Sequence, residues 1–309
     1  AGGLALDLGG PENLSHRDLV ARAARLLGQR GPAVLPIPRL LVNAWERLAI
    51  VHRIFERFDR AEFALDRARS VLDRERLPQT ERGNWLYHRG ALRYDQARYE
   101  DALADYARAF ELHRDRDAKL PAGLLIHHAL ALFAAGDHAQ AFEVVHKKLE
   151  QTAQTYGDQH PKYGQDCLVL GTLMVDNGAL SAGLERLSRG IEILERYPGH
   201  KKAHVAKALA TQARALNGLH RPAEAEPLAR RAHERLTALP SPHLAAEVEA
   251  LREQARAHQA LGRISEALAL YRRALARAEA SQRLSGEADA LREAITAGEA
   301  QLEEPAVAG

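Results

Sequence analysis

The chain has 309 residues, of which 46% are hydrophobic but only 5% aromatic, and 43 basic residues against 41 acidic ones leave a formal net charge of +2. So small a charge makes no case for nucleic acid, and the single cysteine, Cys167, excludes an internal disulfide framework. No apolar run approaches the roughly 18 residues of a membrane span.

In chain order, residues 4–42 read as an extended stretch and a Gly9-Gly10-Pro11 turn. A helix begun by Ser15, with Asp18 three residues on, follows, and then a proline-punctuated, strand-like run. From there to about 279 a pattern repeats. Its marker is a small residue at Ala64, Ala102, Ala141, Gly183, Ala225 and Ala267, in steps of 38, 39, 42, 42 and 42 residues. Such a period predicts stacked helical units, none able to bury its apolar face alone. After Gly286, residues 287–304 read as one more amphipathic helix, with Ala290, Leu291, Ile295 and Leu302 covering the last unit. Residues 305–309 are expected to form a flexible tail.

Within each unit the spacing is that of an α-helix pair. Twelve residues before the marker, Gly90, Ala129, Gly171, Ala213 and Ala255 supply a second small position, which lets two antiparallel helices approach. Five before it comes the turn, with Gly136, Gly178 and Gly262 in three units and Asp59, Ala97 and His220 in the others. Four after it, Tyr106, Val145, Leu187 and Tyr271 fill the gap to the next unit. Asp158, three residues before Pro161, or Ser241, beside Pro242, is expected to cap the helix that follows.

These six copies resemble the tetratricopeptide repeat, a helix–turn–helix of nominally 34 residues, over about 43–279. The longer period is similar to that of kinesin light chains and of bacterial signalling arrays. The resemblance implies an all-α, right-handed superhelical solenoid of about six repeats with a capping helix inside 280–304. It also implies a concave face lined by the first helix of each pair. Carried onto this sequence, the ligand-contact positions are Arg53, Glu56 and Arg57, then Asn84, Tyr87 and Tyr94, then His127, Leu130 and Phe133. Gln165, Thr172 and Asp176 follow, then Lys207, Thr211, Arg214 and Asn217, and finally Arg252, Arg256 and Gln259. Separately, Gly9-Gly10-Pro11-Glu12 and Leu35-Pro36-Ile37-Pro38 resemble the distal C-terminal part of NAD(P)-dependent epimerase-like proteins. Residues 1–42 are therefore expected to be either the tail of an upstream domain or a cap for the array.

No catalytic constellation stands out. His16-Arg17-Asp18-Leu19 spells the start of a protein-kinase loop, but the asparagine required seven residues after the histidine is Ala23. His113-Arg114-Asp115 has Leu120 at that place. His200 and His204 have the i, i+4 spacing of zinc proteases, yet Lys201, Lys202 and Ala203 lie between them and no glutamate base. His127 and His128 are adjacent and point to different faces. Cys167, between Asp166 and Leu168, reads as a small core residue.

The sequence thus predicts a non-catalytic module or scaffold that binds a protein or peptide, in a cytoplasmic, bacterial signalling or regulatory setting. Lys207, Arg214, Arg252 and Arg256 recur on successive first helices and are expected to form one basic strip for an acidic partner. No nucleic acid, membrane, cofactor or metal is expected. Two alternatives stand beside this reading: the C-terminal portion of an enzyme, and a structural self-assembly spacer.

Overall fold

A computed structural model describes residues 37–75, 77–114, 120–121, 123–197, 202–240, 243–281 and 284–303. The described residues form thirteen α-helices and no strand. Twelve of them pair as antiparallel neighbours. α1 (Ile37–Ile54) pairs with α2 (Phe58–Arg74), α3 (Gln79–Asp95) with α4 (Tyr99–Arg114), and α5 (Leu124–Ala134) with α6 (His138–Tyr156). α7 (Pro161–Asp176) pairs with α8 (Leu180–Glu195), α9 (Lys202–Gly218) with α10 (Pro222–Thr237), and α11 (Leu244–Ala260) with α12 (Ile264–Ala278); α13 (Ser285–Glu303) closes the stack.

Both small positions explain the pairing. A β-carbon added at Gly171 would meet the Leu187 backbone nitrogen at 2.9 Å and the Gly183 carbonyl at 3.0 Å, so α7 and α8 touch through their main chains. At Gly90 it would meet the Tyr106 ring at 2.5 Å. The gap-filling residues Tyr106, Val145, Leu187 and Tyr271 are all buried. Cys167 is a buried core residue, as its place beside Leu168 and Leu170 predicts.

Two layers result. The odd-numbered helices α1, α3 and α5, and again α7, α9 and α11, lie along one another, while successive even-numbered helices pack far less closely. The odd layer is therefore on the inside of the curve and lines a concavity. The curvature brings the two ends together, for the Ser281 hydroxyl, just after α12, donates to the Glu56 carboxylate in the α1–α2 turn.

Several expectations need correction. The first unit's turn is Glu56, with φ of 54°, and not Asp59, which lies in the first turn of α2. The marker is accordingly Ala61, paired with Ala49, and Ala64 is a second small residue one helical turn on. All three are buried, which is why the alanine pattern alone does not separate them. Residues 37–42 are helical and not strand-like, because a proline in the first helical turn, here Pro38, sacrifices no hydrogen bond. His160, and not Asp158, caps α7: its imidazole accepts from the Lys162 amide, with Pro161 as the first helical residue. Ser241 lies outside the described residues, and the α11 cap is His243 without a side-chain bond. On α13, Leu291 and Ile295 cover the last pair with Ala288 and Ala294, but Ala290 is exposed and Leu302 is 53% exposed. Leu302 reaches beside Ser265 and Leu268, at the start of α12, where no further helix among the described residues covers it. The epimerase-like string up to Pro36 and the His16 motif lie outside the described residues.

Candidate functional site: the concave groove

α3 shows how the sequence divides each inner helix between two jobs. Arg82, Trp85, Leu86 and Arg89 recur on one face and meet the outer layer; Tyr87, Ala91 and Tyr94 recur on the other, whereas Asn84, expected in the groove, turns its Oδ1 to His113 Nε2 on the outer helix α4 at 3.3 Å. The inner faces of successive odd helices form the groove floor. Most positions placed there by sequence lie on such faces. Glu56 and Arg57 do not, since Glu56 is the turn residue and Arg57 the N-cap of α2; the one-turn register shift in the first unit moved them.

The groove is cross-linked from repeat to repeat. Arg53 on α1 donates from Nε to Asp95 on α3 at 2.7 Å, with both side chains largely buried. The Tyr87 hydroxyl sits 3.3 Å from His127 Nδ1, which is itself 3.0 Å from the Gly123 carbonyl. Burial pulls the pKa of His127 below its usual value, and a depression for the same reason takes His88 down to about 4. Next to His88, at 3.9 Å, Glu46 is pushed up to about 8 by burial and by the charge of Glu81. At neutral pH this contact is therefore between two uncharged groups. Phe133 stacks on His138 with centroids 4.2 Å apart, and half-buried Leu130 belongs to the same apolar cluster. His128, by contrast, points back to the Phe110 ring, 5.3 Å away, so the adjacent histidines do face different ways.

Toward the C-terminus the charges interlock. Arg214 on α9 donates to Asp176 on α7 at 2.5 Å and lies 3.2 Å from Glu249 on α11. Asn217 donates to the Glu253 carbonyl at 2.8 Å and to its carboxylate at 3.0 Å. Glu253 has no exposed surface and also takes Arg252 at 3.1 Å and Arg256 at 3.5 Å. Arg252 reaches Glu287 on α13 as well, and Gln259 pairs with Gln301 there. Thr172 and Thr211 turn their hydroxyls back to the carbonyls of Leu168 and Lys207, and Gln165 is half-buried without any such bond among the described residues.

The expected basic strip is thus neutralised from within. Arg53, Lys207, Arg214, Arg252 and Arg256 make five cations; Asp95, Asp176, Glu249, Glu253 and Glu287 make five carboxylates. Among the described residues Lys207 is the one cation of this set with no ion pair. Its side chain is exposed, yet the walls of the concavity displace enough water to lower its pKa, against the opposing charges of Glu249 and Asp95. That Asp95, three repeats away, acts on Lys207 at all reflects how tightly the stack curves.

The partners that sequence reasoning missed carry a signal. Arg53 and Asp95 are 42 residues apart, Tyr87 and His127 40, Arg214 and Asp176 38, Asn217 and Glu253 36. Complementary groups about one period apart are therefore the ones to pair in a stack. Of the motifs with a catalytic spelling, His113 is a buried structural group 2.8 Å from the Ala109 carbonyl, Asp115 and His200 lie outside the described residues, and no cluster of three metal-ligating side chains occurs among those described. No described helix is long and apolar enough to cross a membrane.

The sequence profile of the tetratricopeptide repeat matches residues 204–280, which hold α9 to α12. No curated protein matches the chain by sequence. Among solved structures, NprR in complex with its cognate peptide NprX is similar at 14% identity, over 94% of this chain and 81% of that one, with a TM-score of 0.67. A Rap protein complexed with Competence and Sporulation Factor is similar at 13% identity, over 86% and 71%, with a TM-score of 0.59. Repeats of a putative kinesin light chain from P. anserina align at 18% identity, over 67% and 99%, with a TM-score of 0.51. The profile match thus identifies tetratricopeptide-repeat sequence at residues 204–280, and the shared folds show that the described chain is an all-α helix-pair solenoid like those of tetratricopeptide-repeat proteins.

Proposed function

We propose that the concave groove binds an extended peptide or partner segment without catalysis, and that Lys207 receives a carboxylate of it. The observation that carries this reading is that, among the described residues, Lys207 is the one cation of the groove set without an ion pair. An incoming carboxylate pairs with Lys207 without breaking an existing contact, whereas at Arg214 it would have to displace Asp176 or Glu249. The apolar patch of Leu130 and Phe133 gives the same segment a place for an apolar side chain. The similarity to NprR bound to its cognate peptide supports the peptide class, and a cytoplasmic bacterial signalling role is part of the same reading.

The test is titration with randomised pentapeptide mixtures carrying either a free C-terminal carboxylate or an amide. Free-acid mixtures should bind more tightly, with an advantage that shrinks between about 50 and 500 mM salt and vanishes in Lys207→Glu while helical content stays the same. Equal binding of acid and amide mixtures by both proteins would remove Lys207 from the site. Calorimetric binding of ATP or a nicotinamide cofactor at micromolar levels would count against the non-catalytic reading.

A further inference from the structure

On the convex side, the back of α3 is visible between α2 and α4, because successive outer helices do not close over it. The opening is a cleft of about 420 Å³, within the usual range for ligand sites. Its floor is apolar: Leu72, Trp85, Leu86 and Leu112. Trp85 is held in place by its indole N–H, which donates to the Leu65 carbonyl at 2.8 Å. The rim is cationic, made by Arg69, Arg82, Arg89 and Arg108.

The rim has fewer carboxylates than guanidinium groups. Asp73 is shared by Arg82 at 2.8 Å and Arg69 at 3.6 Å. Buried Asp105 is shared by Arg89 at 2.5 Å and Arg93 at 2.8 Å. Arg108 has Glu111. Four rim guanidinium groups thus meet three carboxylates, one of which also serves Arg93 outside the rim, and this leaves net positive charge around an apolar floor. The sharing also fixes the guanidinium planes: Arg89 lies over the Trp85 ring at 4.4 Å and cannot swing away without losing Asp105. Planar donors held in position accept a carboxylate through two bonds with little further ordering.

We propose that this cleft is a second binding site, independent of the groove, and that it takes an acidic segment of a partner protein with a large apolar side chain on the Trp85 floor. Charge complementarity selects the acid, and the floor selects the apolar neighbour. A nucleic-acid strand is disfavoured because the excess is confined to one cleft on a chain of net charge +2 and offers no stripe for a phosphate backbone.

The test uses Trp85 as reporter. Trp45, the other tryptophan, is changed to Phe, and fluorescence is followed during titration with capped hexapeptide mixtures randomised over Asp, Glu, Leu and Phe. A mixture over Asn, Gln, Leu and Phe is the neutral control. Capping both ends removes the terminal charges, and because side-chain carboxylates can still reach the groove, the Lys207→Ala variant separates binding there from binding at the cleft. Acidic mixtures should change Trp85 emission saturably and bind at least about tenfold better than the neutral ones. The double change Arg69→Glu and Arg108→Glu should abolish that advantage; both side chains are more than half exposed, so folding is preserved. Arg82→Gln should weaken binding less, and Lys207→Ala should leave it unchanged. Equal binding of acidic and neutral mixtures, indifference to the Arg69/Arg108 double change, or tighter binding of a twelve-nucleotide oligothymidylate would each overturn the proposal.

Discussion

Glu56, Ala97 and His220 hold φ values of 54°, 58° and 57°, where three other repeats place glycine. A residue with a β-carbon there costs about 1–2 kcal/mol in backbone strain, while glycine forfeits about 0.4–1 kcal/mol through the freer unfolded chain. The strain outweighs that loss. Ala97→Gly and His220→Gly should each therefore raise stability by about 0.5–1 kcal/mol in chemical denaturation, and Gly178→Ala should lower it. Unchanged or lowered midpoints for both glycine variants would mean that the strain is relieved locally. A second residue-scale effect comes from Glu46 and His88. A carboxyl raised to about 8 contributes stability below its unfolded pKa, lost as pH rises through 8; an imidazole lowered to about 4 contributes above 6.5, lost as pH falls through 4. The two slopes oppose each other between about 4.5 and 6.5, and Glu46 alone acts above that. Stability should fall by about 2 kcal/mol from pH 6.5 to 8. Glu46→Gln should remove most of that fall; urea unfolding at the two pH values would decide it.

At the scale of elements, close approach of helices outweighs intrinsic propensity. Replacing a mid-helix glycine by alanine in isolation gains up to about 1 kcal/mol. At Gly171 the added carbon meets main-chain atoms of α8, which cannot step aside as a side chain does. Gly171→Ala is therefore expected to be destabilising, and Gly171→Leu or Ala213→Leu to cost about 1–3 kcal/mol or more; a melting temperature equal to the parent's in all three variants would sink this pairing register. The register is legible in the sequence because small residues, turns and gap-fillers recur together at fixed offsets from 102 onward. It fails in the first repeat for a definite reason: Ala61, Ala64 and Ala68 are all buried on α2 and the turn there is a glutamate. Which helices face inward is legible in the sequence, but the charge state of their inner faces is not. Whether Arg214 is free depends on Asp176 and Glu249, each on a different helix, and on the curvature that brings α7, α9 and α11 side by side.

At the scale of the whole molecule, the paired charges change what the groove variants can report. Arg214→Glu would set three carboxylates together in a partly buried place, so it tests stability as much as binding; Lys207→Glu avoids that confusion. The same curvature produces the contact between Ser281 and Glu56, which joins the last repeat to the first across the mouth of the superhelix. A solenoid has contacts only between neighbours unless its ends meet, so its pitch is otherwise free to breathe. A hydrogen bond to a carboxylate contributes about 1.5–3 kcal/mol, enough to shift an open–closed balance roughly tenfold or more. Ser281→Ala and Glu56→Gln should therefore leave helical content intact while broadening the distance distribution between spin labels on α2 and α13, and should raise the radius of gyration in solution scattering. Distributions as narrow as the parent's in both variants would mean that stacking between neighbouring repeats alone sets the curvature, and that the groove width is fixed before any partner arrives.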